Sequence, residues 1–257
     1  MSEIQIPIVN AGELYINGLV PYYIDATHLG VTPGQTRNST DVNDIEIPDG
    51  AILNTALVGV INGVQAAISS YQAFWTLYAV GDSSKYNPSG VFAVPASATS
   101  ISLPFGYDMI RYIGDFFIDG SNSIVNFSVV GNGNYRTLWY ADERGGVTNQ
   151  HATTFTNLSL AGTLPPCRDN EPKTAIINVN FTPNSAGNTM YFSPLSASPS
   201  DTQCYFSSPV AGVVDKRQVQ VPVGIATDNL NNCWIDYKST SMSDNITFAI
   251  IGYTFSI

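Results

Sequence analysis

The sequence is poor in charged side chains. Asp, Glu, Lys and Arg make up 12% of the 257 residues, which is about half the usual share of a globular protein. Only 10 of these residues are basic, against 20 that are acidic, so the formal net charge is −10. Binding to a nucleic-acid backbone or to an anionic membrane depends on clustered Lys and Arg, and here only Lys216 and Arg217 are adjacent. We therefore expect no nucleic-acid partner and no membrane insertion.

The sequence also lacks a cysteine pattern and long apolar runs. Its three cysteines, Cys167, Cys204 and Cys233, are odd in number and widely spaced, which fits neither a disulfide framework nor a zinc site. The first residues do not combine a basic region with an apolar one, so we expect no secretory signal. No run of about 18 apolar residues occurs. These absences predict a protein that is made in a cytoplasm and stays soluble there until it assembles.

Motifs for catalysis are scarce. The turn at residues 81–84 (Gly-Asp-Ser-Ser) follows an apolar run, which is how one class of serine esterases presents its nucleophile. Such an enzyme also needs a late Asp and His pair that accepts the serine proton. The two histidines, His28 and His151, lie in no such pattern. We therefore predict that no residue is catalytic and that the protein is not an enzyme.

Motifs for cofactors and metals are equally weak. The sequence contains no phosphate-binding Gly-Lys loop and no dinucleotide fingerprint. An acidic stretch could in principle hold calcium, but it lacks the EF-hand order of ligands; its members are Asp41, Asn43, Asp44, Glu46 and Asp49. We predict no cofactor and no metal site.

What the sequence does contain is typical of β-structure. Ser, Thr, Asn, Gly and Pro separate short runs of apolar and aromatic residues throughout the chain. The strongest runs predict strands at residues 74–80, 91–94, 109–117, 124–130, 135–140, 175–181, 190–192, 203–206, 218–223, 233–237 and 246–255. Strands at this spacing predict an all-β protein with two β-sandwich or jelly-roll-like domains.

The secondary structure of one segment is ambiguous. Over residues 51–70 apolar residues recur near a spacing of 3.6, which favours a short helix, although Gly59 and Gly63 weaken it and leave an irregular segment as the alternative.

Residues 141–163 begin in a polar, Gly-rich stretch and lead to a stiff Leu-Pro-Pro. We predict an N-terminal β domain over residues 1–140, a linker region over 141–163 and a C-terminal β-sandwich over 164–257.

Two features suggest binding surfaces. Ile4, Ile6 and Ile8 alternate with other residues and could form a strand that adds to the edge of a partner's sheet. The chain also has 14 Tyr, 12 Phe and 3 Trp. Aromatic residues fill β-cores and protein interfaces, but they can also stack on sugars, and the candidates for such a stacking face are Trp139, Tyr140 and Trp234.

Two stretches of the chain carry a family resemblance. The first is Asp-Ala-Thr at residues 25–27, continued by Val-Thr-Pro-Gly-Gln-Thr-Arg-Asn-Ser-Thr at 31–40 and Asp-Val-Asn-Asp-Ile at 41–45. The second is Ser-Leu-Pro-Phe-Gly-Tyr-Asp at 102–108, followed by Arg-Tyr-Ile-Gly at 111–114. Weaker matches lie at 221–224 and 251–254. These stretches resemble tail-fibre-like and other virion-associated proteins of tailed bacteriophages, in which Asp is usual where this chain has Asn38.

The second stretch has a simple structural interpretation. Pro104 fixes its backbone φ angle and ends the preceding strand, and Gly106 supplies a turn that side chains resist. Tyr107 can cover the edge of the core, while Arg111 can form charge-assisted bonds to Asp108 or to Asp115. We therefore expect Pro104, Gly106, Tyr107, Asp108 and Arg111 to form a structural turn motif rather than a catalytic one.

The resemblance implies a structural protein of the virion. We expect it to be attached to the tail apparatus or its fibres, where it binds other phage virion proteins. Symmetric assembly predicts a homo-oligomer, either a trimer or a ring. A capsid decoration or cement protein is the nearest alternative, and a module that binds a host surface glycan is a further one.

Overall fold

The structure is a computed structural model that describes residues 16–38, 43–68, 73–98, 100–131, 133–166, 173–194, 204–225 and 233–257. Every regular element in these ranges is a β-strand, so the prediction of an all-β fold is confirmed. Within the same ranges, no helix has the length and apolar character needed to cross a membrane.

Three small sheets form from the first ten strands. The strands are β1 (Ile16–Gly18), β2 (Pro21–Tyr23), β3 (His28–Val31), β4 (Gly34–Arg37), β5 (Asp44–Ile47), β6 (Ala51–Asn54), β7 (Gly63–Val64), β8 (Ala73–Gly81), β9 (Gly90–Pro95) and β10 (Met109–Ile118). The sheet orders are β1-β4-β5, β2-β3-β6 and β10-β8-β9-β7. All pairs are antiparallel except β7 with β9. Strand β8 is buried almost throughout because both of its faces are packed: Trp75, Leu77 and Ala79 belong to one hydrophobic cluster, and Tyr78 and Val80 belong to another.

Two larger sheets form from the remaining strands. These are β11 (Phe127–Val130), β12 (Tyr135–Gln150), β13 (Thr156–Ser159), β14 (Thr174–Thr182), β15 (Thr189–Pro194), β16 (Cys204–Ser207), β17 (Asp215–Pro222), β18 (Gly224–Ile225), β19 (Cys233–Ser239) and β20 (Asn245–Ser256). One sheet has the order β11-β12-β20-β14-β17. The other has the order β13-β19-β15-β16, with β18 also paired to β19.

The two larger sheets pack face to face as a sandwich. Aromatic rings meet across the layer between them: Phe248 of β20 lies 5.4 Å from Phe192 and 5.3 Å from Tyr237, measured between ring centroids. Phe181 of β14 meets Phe206 of β16 at 5.8 Å. Such edge-to-face ring pairs add stability beyond the burial of apolar area.

Strand β20 shows how the core is filled. Ile246, Phe248 and Ile250 alternate inward. Ile250 pairs with Ile177 of β14 but Gly252 pairs with Ile176, so one extra residue of β20 lies between these pairs. This β-bulge shifts the alternation by one position. As a result Tyr253 and Phe255 also face the core.

A buried arginine joins the first described strands to the rest of the molecule. The Arg136 guanidinium donates to the carbonyl of Leu19 at 2.8 Å, of Ile113 at 2.9 Å and of Gly18 at 2.6 Å. Its side chain is almost completely buried, and burial lowers its pKa to about 10, so it is charged at neutral pH. The three carbonyls compensate for the loss of water around that charge.

The helix predicted within residues 51–70 is wrong. Strand β6 occupies the start of the segment and the two-residue β7 follows after a loop. Two of the residues with helical spacing, Leu57 and Val60, are exposed rather than buried on one face. Gly63 comes so close to the chain that a Cβ there would collide with the carbonyl of Leu57. The segment pairs with strands because β3 and β9 offer it backbone partners.

The interval predicted as a linker contains strand residues. Most of its first part belongs to β12, which pairs with β20, and β13 follows within the same interval. Strand β11 and the start of β12 precede residue 141, yet they lie in one sheet with β14, β17 and β20. Buried residues of both halves, such as Trp75 and Phe181, belong to one hydrophobic cluster. The division of the chain into two domains stays a prediction.

Candidate binding surfaces

An apolar face lies on the outer side of the sheet β2-β3-β6. The pairing places Tyr22 opposite Gly30 and Gly30 opposite Ile52. Because alternate residues of a strand point to opposite sides, Leu29 and Leu53 fill the core while Tyr22 and Ile52 point outward, 43% and 55% exposed. The Tyr22 ring lies directly over Gly30, where a Cβ would collide with it.

The loop that follows β6 in the chain adds further exposed apolar side chains. Its apolar side chains remain exposed although hydrogen bonds hold its backbone: the Gly59 amide donates to the carbonyl of Val64 and the Val64 amide to that of Leu57. The exposure is therefore a property of a fixed loop. We use the name apolar face for Tyr22, Ile24, Ile52, Leu57, Val58 and Val60.

A second surface forms where the turn after β8 meets the turn before β10. The first turn is organised by Asp82, whose carboxylate accepts bonds from Ser84, Tyr86 and Asn87. The Ser84 hydroxyl bond is the largest of the interactions that lower the pKa of Asp82 to about 2, and the backbone amide of Ser84 and the amides of Asn87 add to it. A carboxylate that accepts several such bonds strongly favours its charged form.

The second turn contains the motif predicted from sequence. The Tyr107 amide donates to the carbonyl of Pro104 at 3.1 Å, and Gly106 has a φ of 86°. This is the geometry of a tight turn that needs glycine at its third position. Phe105 is the second residue of that turn, and its side chain is fully exposed.

Four hydrogen bonds join these two turns. The Asn87 side-chain amide donates to the carbonyl of Gly106 at 3.2 Å, and the Tyr107 hydroxyl donates to the carbonyl of Pro88 at 3.0 Å. Asp108 accepts bonds from the Ser83 amide and hydroxyl. These two bonds lower the pKa of Asp108. We call residues 82–89 and 104–108 together the paired loops.

The paired loops enclose a shallow depression of about 490 Å³. Its lining is mostly polar and includes Ser83, Ser84, Asn87 and Asp108. Tyr86 also lines it, with 92% of its side chain exposed. Next to it lies a groove of about 620 Å³ that carries carboxylates of the acidic stretch, namely Asp44, Glu46 and Asp49.

The structure shows other partners for the two acids, and the expected bonds from Arg111 to Asp108 or Asp115 stay a prediction. Asp108 bonds to Ser83, whereas Asp115 accepts bonds from the hydroxyls of Thr76 and Tyr112. Arg111 itself is buried at the start of β10. The motif thus divides into a surface part at residues 104–108 and a buried part that belongs to the sheet.

The residues considered for catalysis and metal binding are dispersed. The Ser83 hydroxyl donates to Asp108, while His28 bonds to Asp25 and His151 to the carbonyl of Asp244. Asp44 pairs with Arg37 at 3.2 Å. Across the described part of the chain, no three His, Cys, Asp or Glu side chains are grouped so that they could hold a metal ion. Asp41 lies outside the described residues.

Trp139, Tyr140 and Trp234 do not form one surface. Trp139 and Tyr140 are neighbours on β12 in regular pairing with β11, so their side chains point to opposite faces. The Tyr140 hydroxyl is bonded to the carbonyl of Thr163, and burial raises its pKa. Trp234 lies on β19 in the other sheet. Ile4, Ile6 and Ile8 lie outside the described residues, and their role as an assembly strand stays a prediction.

A different aromatic row crosses the outer face of the second large sheet. Lys238 is opposite Tyr191, which is opposite Tyr205. The two Tyr rings stack at 6.0 Å, and the Lys238 ammonium lies 5.1 Å from the Tyr191 ring and 4.4 Å from that of Phe155. The rings cover one another only in part, since Tyr205 is 68% exposed, so this row also presents open ring surface.

Sequence reasoning missed the exposed aromatic residues of the paired loops. A signal for Phe105 was available, because the residue between Pro and Gly in a tight turn points away from the chain. No local signal marks Tyr86, whose exposure depends on how Asp82 folds the turn around itself.

Comparisons with known proteins found no family model that matches the chain and no curated protein that matches it. Among solved structures, a carbohydrate-binding module from Cellvibrio mixtus lichenase 5A in complex with cellotriose is 13% identical, with 52% of this chain and 86% of that chain covered. A structure of infectious bursal disease virus, Gx strain, is 10% identical over 97% of this chain and 69% of that chain. The VP2 subviral particle of the same virus is 9% identical over 95% and 67%. The TM-score is 0.22 in all three cases, which is too low to bear on function.

Proposed function

We propose that this chain is a non-enzymatic structural protein of a tailed-bacteriophage virion, attached to the tail apparatus or its fibres and acting by binding other subunits. The observation that carries the binding function is the apolar face, where Tyr22 and Ile52 lie outward on either side of Gly30. The assignment to a phage tail rests on the resemblance of residues 25–45 and 102–114 to tail-fibre-like proteins.

The apolar face is suited to a permanent interface. Scattered exposed apolar side chains are normal on a soluble protein, but a group on one sheet and its adjoining loop favours an interaction site. Burial of apolar surface contributes about 25 cal/mol per Å². A permanent contact between subunits buries on the order of 2,000 Å² or more, so the apolar face would supply the centre of such a contact. Neighbours would be other virion proteins or further copies of this chain in a trimer or ring.

The test is incorporation into particles. Phage carrying Ile52→Asp or Val58→Asp should contain much less of the protein, measured by mass spectrometry of purified particles, because each carboxylate would have to be buried in the interface. Met242→Asp is the control, since Met242 is similarly exposed (60%) but lies elsewhere, in the turn between β19 and β20. Unchanged copy number of the protein in the Ile52→Asp and Val58→Asp particles would show that the apolar face is not the assembly interface.

Location needs a separate experiment. Gold-labelled antibody on whole particles should mark the tail or its fibres. Even label over the head would replace the tail assignment with capsid decoration, and absence of the protein from purified particles would overturn the virion assignment. Deletion of residues 1–9 should abolish incorporation if Ile4, Ile6 and Ile8 add a strand to a partner's sheet.

A further inference from the structure

We propose that the paired loops bind a neutral saccharide, with Tyr86 as the stacking surface in the depression, Phe105 beside the lining residue Gly106 as a second ring, and Ser83, Asn87 and Asp108 as hydrogen-bonding partners. This site uses other residues than the apolar face and is independent of the assembly function. Its residues come from the turn after β8 and the turn before β10.

The first observation is that two aromatic side chains are fully exposed on fixed backbone. Tyr86 is 92% and Phe105 102% exposed. Asp82 holds the Tyr86 amide, and the turn of Phe105 is tied to the first loop through Gly106. A large ring displayed on a rigid loop loses little conformational entropy when a ligand covers it, which is how binding loops rich in Tyr, Ser, Gly and Asn obtain affinity.

The second observation is that polar groups surround Tyr86 in the depression. Ligand sites generally combine apolar or aromatic surface with a few placed polar groups. One face of a pyranose ring consists of C–H bonds, which suit the electron-rich face of an aromatic ring. Its hydroxyls point outward at the ring edge and need donors and acceptors nearby. A depression of about 490 Å³ is large enough for one or two sugar rings.

The polar groups of the depression can still accept hydrogen bonds from such a ligand. Each carboxylate oxygen can accept two bonds, and each Asp108 oxygen accepts one from Ser83. The Asp108 carboxylate can therefore receive sugar hydroxyls without giving up its structural bonds. The Ser83 hydroxyl donates to Asp108, so its own lone pairs remain available to a ligand hydroxyl.

Charge selects a neutral sugar over an acidic one. Asp82 and Asp108 are both ionised at neutral pH, and the adjacent groove adds Asp44, Glu46 and Asp49 against one lining cation, Lys85. Like charges at this range repel, and salt screens the repulsion only in part. The carboxylates of uronic or sialic acids would meet that repulsion, whereas the hydroxyls of neutral hexoses would not. A protein partner fits less well, since the surface beside Tyr86 is polar and interface centres are apolar.

The experiment uses the full chain on an array of oligosaccharides that includes neutral hexose, N-acetylhexosamine, uronic-acid and sialic-acid probes. The best neutral probe is then titrated by calorimetry against the wild type and three variants. Tyr86→Ala and Phe105→Ala should each weaken binding about tenfold or more. Tyr135→Ala should leave it unchanged, because Tyr135 is also largely exposed but lies at the start of β12.

Each result is decisive for the saccharide site. Selective loss of neutral-sugar binding in Tyr86→Ala and Phe105→Ala, with melting temperatures unchanged, supports it. Absence of binding to every probe, binding of acidic probes alone, binding that Tyr86→Ala and Phe105→Ala do not affect, or use of the same residues by a protein partner overturns it. Particle incorporation of Phe105→Ala should equal that of wild type, which separates this result from the test of the apolar face.

Discussion

The Lys173 ammonium lies 3.6 Å from the Asp115 carboxylate, and both side chains are almost completely buried. Lys173 also donates to the carbonyl of Pro166 at 2.8 Å. Asp115 accepts the hydroxyls of Thr76 and Tyr112. The pair thus joins the strand β10 to the residue that precedes β14.

Replacement of Lys173 should therefore be strongly destabilising. Lys173→Met leaves the Asp115 charge buried without its cation, which typically costs about 3–5 kcal/mol. Urea unfolding is the measurement. The double variant with Asp115→Asn should recover part of the loss, because it removes the buried charge while the amide oxygen still accepts one of the two hydroxyls. Lys216→Met, at an exposed position of β17, should change stability by less than about 0.5 kcal/mol. Equal effects of the two Lys→Met changes would contradict this interpretation.

The position of Arg136 should require an arginine side chain. Arg136 donates from two nitrogens, one to Leu19 and Ile113 and the other to Gly18, and the single ammonium of lysine cannot occupy both positions. Arg136→Lys should lower the free energy of unfolding by about 3 kcal/mol or more, since buried carbonyls lose partners. Arg217→Lys is the matched control because Arg217 is half-exposed beside Asp215. The midpoint of thermal unfolding measures both, and similar midpoints would argue against the role of Arg136.

The first of the paired loops should be sensitive to acid. Folding lowers the pKa of Asp82 from 3.8 to about 2. A carboxyl group of this kind stabilises the fold fully above about pH 4, and that stabilisation is lost as the pH falls toward 2. The amide signals of Tyr86 and Asn87, whose N–H groups donate to Asp82, should move over this range in NMR spectra.

An Asp82→Asn variant separates this local effect from general acid unfolding. Its Tyr86 and Asn87 signals should no longer respond between pH 4 and 2. Those of Thr27 and His28 should still respond, because their amides donate to Asp25, whose pKa is also lowered to about 2. A response of Tyr86 and Asn87 that persists in Asp82→Asn would show that Asp82 has no local role.

Close contact between β12 and β20 makes one glycine irreplaceable. A Cβ at Gly252 would collide with the carbonyl of Leu138, which is backbone and cannot rotate away. Gly252→Ala should destabilise the protein by about 1–3 kcal/mol. Gly133→Ala should be nearly neutral, since nothing lies within 4 Å of the new methyl group. Chemical denaturation of both variants tests this, and equal stabilities would be inconsistent with the packing described.

Sequence patterns predicted those strands whose own side chains fill the core. Residues 74–80, 175–181 and 246–255 carry enough apolar and aromatic residues to mark β8, β14 and β20. The second half of β12 is polar and contains Gly145 and Gly146, so it gave no such signal. It is a strand because the backbone of β20 pairs with it through register shifts. Backbone pairing with a distant partner leaves little trace in the side chains.

The candidate surfaces could likewise be predicted from the sequence only in part. The turn at residues 104–107 could be predicted because Pro and Gly restrict the backbone locally. The contacts of Asp115 with Thr76 and Lys173 and those of Arg136 could not, since each joins residues far apart in the chain. Tyr22 and Ile52 share a face only because β3 lies between their strands.

The central position of β20 has a consequence for how the protein is made. This strand lies between β12 and β14, yet a ribosome that has produced residues 1–244 has supplied both neighbours and left the place between them empty. Until β20 emerges, two strand edges and the apolar residues beneath them face solvent, a state prone to aggregation. Folding of the sandwich is therefore completed only after translation of β20. We expect that chaperone binding or low temperature during expression will raise the yield of folded protein. Chaperones that act only on the earlier strands during translation will not raise it.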